Sequence, residues 1–147
     1  MVGRTRRYAV ADTAQQVVGG FLLAGPFVVT EEVWVLAARM TVYHAALVVA
    51  IVVAIGYGAL YKADDERDPD REAEVGGVPV RFLSLMGVSF GSVAILAVAF
   101  TAPETFLVDG GILADPSEAA VAVTTGKAVA VGAIFSVVGA ATADSVF

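Results

Sequence analysis

GPFVVTEEVW, residues 25–34, interrupts the first apolar stretch of the chain with two adjacent carboxylates. Its reading decides the fold. If the apolar helix runs through it, Glu31 and Glu32 are charges inside a membrane span. If the helix ends before it, they sit at an interface, and VWVLAAR becomes a separate segment anchored by Trp34. The first reading places the span at residues 17–38. The second starts it near Val10 and ends it at Thr30, and its difficulty is the polar run Asp12-Thr13-Gln15-Gln16, which then enters the membrane.

Three further uncharged or nearly uncharged runs follow, at 42–61, 82–102 and 119–143. A helix needs about 20 apolar residues to cross a bilayer. The runs are rich in β-branched residues, but each is far longer than a strand, and a helix satisfies its own backbone in lipid. The expected fold is therefore all-α, a four-helix transmembrane bundle in a single membrane domain.

Composition agrees. The chain has 147 residues, is 58% hydrophobic and has a mean hydropathy of +0.80, against about 45–50% apolar residues in soluble domains. It has no cysteine and one histidine, His44, which excludes disulfides, thiol chemistry and a multi-histidine metal site in one protomer. The net charge of −6 argues against nucleic-acid binding. Seven of the nine basic residues are Arg. Acidic loops with few lysines suggest a protein bathed in high salt, as in halophiles; a high-GC genome gives a similar bias.

Basic residues set the expected orientation. Arg4, Arg6 and Arg7 precede the first span, and Lys62, Arg67, Arg71 and Arg81 lie between the second and third. The opposite side has Arg39. Both termini and the acidic loop 62–81 are thus expected in the cytoplasm, and loop 103–117 outside. RTRRYAV reads as a retained start, not a cleaved signal. The spacing of Asp64, Glu66, Asp68 and Asp70 does not make a calcium loop, because Pro69 and Val75 occupy the positions that need glycine and glutamate. In the outer loop Ser117 or Asp115 is placed to cap the fourth helix, and Asp109, Asp115 and Glu118 form a weak cation-site candidate.

Small residues mark where membrane helices meet. They recur every four residues at Ala46, Ala50, Ala54 and Gly58, and at Ala128, Gly132, Ser136 and Ala140. Gly87 and Gly91 form a GxxxG pair, and Gly20 and Ala24 lie on the first span. Ser89, Ser92 and Ser136 are expected to bond back to their own helices.

Lys127 is the one charge in the fourth run. It lies eight residues past Ala119, and Glu31 lies seven before Ala38. On opposite-running helices these depths match, so an intramembrane ion pair is available, with Arg39 and His44 near the same level. Glu31, Glu32, Lys127, His44 and Arg39 are the candidate charge cluster. Helical geometry puts Glu31 on the face of Gly20 and Ala24, and Glu32 on that of Gly25 and Arg39. Pro26 frees a carbonyl and is placed to kink the helix.

The segment GGFLLAGPFVVTEEVW resembles the N-terminal signature of a family of uncharacterised prokaryotic integral membrane proteins from halophilic archaea and cyanobacteria. The residues that carry the likeness are Gly20, Phe21, Leu22, Pro26, Thr30, Glu32 and Trp34. AIFSVVGAATADSVF, with Ser136, Gly139 and Ala140, is similar to the ending of the same family. The likeness covers about the first third and last tenth of the chain. It implies a multi-pass membrane protein with no known activity, and it favours Glu32 over Glu31.

The functional expectation is a structural or accessory subunit, or a self-associating module, of the cell membrane. Its partners are the lipid bilayer and either further copies of itself or a larger membrane complex. The alternative is an oligomeric ion or proton pathway lined by Glu31, Glu32 and Lys127. No cofactor is implied. No serine–histidine–acid set, metal cluster or phosphate-binding glycine loop suggests an enzyme.

Overall fold

A computed structural model describes residues 10–62 and 74–146. The arginines at 4, 6 and 7 and most of the acidic loop, residues 63–73, lie outside the described residues. Among the described residues there are five α-helices: α1 (Val10–Val28), α2 (Glu31–Arg39), α3 (Val42–Tyr57), α4 (Val80–Ala99) and α5 (Glu118–Val146). π-helical turns extend α3 over Gly58–Lys62 and fill Pro103–Asp109. Among the described residues three helices are long and apolar enough to cross a membrane, α3 with its π turn, α4 and α5; α1 and α2 pass the same test only as a pair, bent by 81°.

The first span is therefore not one straight helix over 17–38. The described helix runs from Val10 through the polar run and stops at Val28, two residues before the end that the second reading of GPFVVTEEVW set. Local chemistry explains the stop. Pro26 has no N–H to continue the ladder, and Val28, Val29 and Thr30 are β-branched. The carbonyls released at the break find donors. The Thr30 hydroxyl donates to Pro26 O at 2.6 Å, and the Trp34 indole N–H donates to Val28 O at 2.9 Å. Trp34 is buried and stacks on Phe106, so it locks the bend from inside instead of anchoring in lipid.

A short hairpin precedes α4. Glu74–Val75 (β1) pairs antiparallel with Val78–Pro79 (β2). Gly76 and Gly77 between them have φ of +60° and +85°, the left-handed pair that a tight two-residue hairpin demands. At the far end Ser117 caps α5, accepting from Ala120 N at 3.1 Å.

α5 is the central helix. Ala128, Gly132, Ser136 and Ala140 are all buried on it, against α1, α4 and α3. α1 crosses α5 so closely that a Cβ on Gly19 would land on the carbonyl oxygen of Gly139, and one on Gly139 on that of Gly19. Gly20 and Ala24 are buried in the same contact. The other two expected faces turn away from the bundle. Ala46, Ala50 and Ala54 are exposed on α3, which buries Val52 and Gly56 instead. Gly87 is exposed, and a Cβ at Gly58, Gly87 or Gly91 would meet nothing within 4 Å.

Candidate functional site: two charged layers

The polar run Asp12-Thr13-Gln15-Gln16 stood against a span starting at Val10. The fold answers it with partners from two other helices. Arg81, one residue into α4 and held there by the hairpin, is fully buried. Its guanidinium donates to Asp144 of α5 at 2.5 Å and to Asp12 of α1 at 3.3 Å. Gln16 donates to the second oxygen of Asp144 at 3.0 Å. It accepts from the Ser84 hydroxyl at 2.6 Å, and Thr13 lies 3.3 Å from Ser84. One cation and two carboxylates thus tie three helices together, with Gln16 and Ser84 using remaining donors and acceptors.

A polar seam rises from this layer between the same helices. Ser89 bonds back to Leu85 O at 2.6 Å, as membrane serines commonly do. Ser136 does not. Its hydroxyl crosses to Gly20 O at 3.1 Å and meets Ser92 Oγ at 2.8 Å. Above it the seam closes in an apolar cluster that includes Ala24, Val28, Trp34, Val93, Ala97 and Ala128.

The second layer lies at the other end. Lys127 Nζ donates to Met40 O at 2.6 Å, in the link between α2 and α3. Glu31 and Glu32 are exposed in the first turn of α2 and make no ion pair among the described residues. The expected Glu–Lys pair is therefore not formed. The depth match assumed a helix continuing straight through residue 31, and the 81° bend removes that premise. His44 is exposed and serves α3, its Nδ1 accepting from Thr41 N at 3.1 Å while Thr41 Oγ1 accepts from His44 N. Arg39 is exposed at the end of α2. Asp109, Asp115 and Glu118 are exposed, and no group of three acidic or imidazole side chains is placed to hold a metal among the described residues.

Seventeen residues of α5 separate Lys127 from Asp144, a rise of about 26 Å at 1.5 Å per residue. Between the two layers α1, α3, α4 and α5 carry no Asp, Glu, Lys or Arg. That uncharged slab is close to the roughly 30 Å of a bilayer's hydrocarbon core.

A match to a known family accords with this geometry. Residues 3–104 match a family described as "putative integral membrane protein (DUF2391)". The chain belongs to that family. It is accordingly a multi-pass integral membrane protein built from several apolar helices. The matched residues include Asp12, Gln16, Arg81 and Ser84 but end before α5, so Asp144, Lys127 and the Ser136 segment lie beyond them. No curated protein and no solved structure matches the chain.

The buried charges were in plain view in the sequence but unassigned. Arg81 stood among the loop cations, and Asp144 just past the last span. One signal was available: a span starting at Val10 submerges Asp12, and a submerged carboxylate requires a cation.

Proposed function

We propose that this protein is a structural membrane module that self-associates, or docks into a larger membrane complex, through the outward small-residue faces of α3 and α4. It would cross the cell membrane four times, the bent α1–α2 pair counting as one crossing, with both termini and loop 62–81 in the cytoplasm. The observation that carries the reading is the exposure of Ala46, Ala50 and Ala54 along one line of α3. Membrane helices associate by close backbone approach, and small residues permit it. On α1 and α5 such residues are already used within the chain. On α3 they are free, and Gly87 on α4 has open space where a Cβ would stand.

Removing Arg81 from the loop cations, since it is paired inside the bundle, leaves six basic residues on the proposed cytoplasmic side against Arg39. The orientation keeps its sign. An ion or proton pathway lined by Glu31, Glu32 and Lys127 has less support, because these side chains do not converge. The reading assigns the protein no catalytic role.

The chain has no cysteine, so single cysteines report contacts cleanly. Oxidation of Ala50→Cys in native membranes should give a disulfide-linked dimer or a linked partner. Val18→Cys, exposed on α1, should stay monomeric. Monomer alone at Ala46, Ala50, Ala54 and Gly87 would refute the proposal.

A further inference from the structure

Arg81 is held between two carboxylates, but the cations at the opposite end of the bundle have none. Neither Arg39 nor Lys127 has a carboxylate within ion-pair distance among the described residues. Glu32, the nearer carboxylate on α2, stands seven residues from Arg39, about 10 Å along the helix. Glu118 stands nine residues up α5 from Lys127, about 13 Å. Glu104, Asp109 and Asp115 are exposed in or beside the stretch that joins α4 to α5.

Two basic side chains meet at the corner between α2 and α3, and a third basic residue, Arg39, ends α2 beside it. Lys127 Nζ touches Met40 O, and His44 Nδ1 lies 3.1 Å from Thr41 N, the other end of the same peptide bond. That chain of contacts keeps the ammonium and the imidazole within about 8 Å of each other. Arg39 adjoins Met40 and is exposed. An anion that reached the Lys127 ammonium would supply the charge partner it lacks among the described residues.

The corner sits where the apolar run of α3 begins. Val42 and Tyr43 are 71% and 87% exposed, and Leu47 and Ile51 follow on the outward surface of the helix. An exposed tyrosine at the start of a span is the pattern of a membrane–water interface. We propose that Arg39, His44 and Lys127 bind the phosphate of an anionic phospholipid headgroup, whose acyl chains lie along α3. Neither Arg39 nor Lys127 is neutralised by a carboxylate within ion-pair distance among the described residues, and that uncompensated charge favours an anionic lipid over a zwitterionic one.

Native mass spectrometry of the full chain in mild detergent tests this, with phosphatidylglycerol, phosphatidylcholine and inorganic phosphate titrated separately. Phosphatidylglycerol should be retained about tenfold better than phosphatidylcholine. Arg39→Gln, at an exposed position, and Lys127→Gln, which keeps a donor for Met40 O, should each abolish most of that preference. Lys62→Gln, at the far end of the same span, should not. Trp34, the only tryptophan, reports by its emission that each variant is folded. Equal retention of the two lipids, or preference unchanged in both corner variants, overturns the proposal. Inorganic phosphate binding as tightly as the lipid would overturn the lipid assignment and leave a free-anion site.

Discussion

Arg81 holds the bundle where three helices converge. A buried guanidinium between two carboxylates is worth little against a well-packed apolar alternative, but removing one member strands the others. Arg81→Met should therefore destabilise the protein by about 3–5 kcal/mol, read from unfolding in mixed micelles. The loss should shrink in an Asp144→Asn background, by a coupling of about 0.5–3 kcal/mol, because one stranded charge is already gone. Equal losses in both backgrounds would mean that the arginine acts through packing alone. None of this pairing could be read from the run of residues around position 81. GGVPVRF looks like a loop ending in a cation, and only the hairpin at Gly76-Gly77 and the start of α4 turn that cation inward.

Helices were the legible part, because an uncharged run of 20 residues has few other fates in a chain this apolar. What was not legible was which small-residue face meets which partner. The stripes on α3 and α5 have the same spacing, yet α5 buries its stripe and α3 exposes its own. The decisive contact, Gly19 on Gly139, used neighbours of the residues the spacing pointed to. Periodicity says that a face exists, while the crossing angle and the position of α5 decide whether it is used. Gly19→Ala should accordingly cost about 1–3 kcal/mol, because its Cβ meets backbone that cannot rotate aside. Gly87→Ala should leave monomer stability unchanged or slightly raised, since its Cβ enters open space and alanine favours the helix. Thermal denaturation of the two variants side by side checks this pair. A Gly19→Ala protein as stable as the parent would show that α1 and α5 can separate without loss.

At the scale of the whole molecule, the two charged layers give the bundle a vertical axis. Arg81, Asp12 and Asp144 mark one end, and Lys127 at Met40 O marks the other. That axis also places Glu31 and Glu32. The bend after Val28 turns the chain across the bundle, so the glutamates begin a short second helix instead of continuing α1. Trp34 then reaches back to close the break from within. The axis also makes a topological prediction. The hairpin at Val75 and the link at Asp115 are separated by α4, a single helix of 20 residues that is long and apolar enough to cross. An impermeant maleimide should therefore reach Asp115→Cys and Val75→Cys from opposite sides of the membrane. With loop 62–81 in the cytoplasm, Asp115→Cys should label in intact cells and Val75→Cys only after permeabilisation. Labelling with the two sides exchanged would keep the crossing and invert the orientation, as would follow if the basic residues did not govern insertion. Labelling of both from one side would mean that α4 does not cross, and the slab between the charged layers would lose its meaning as the hydrocarbon core.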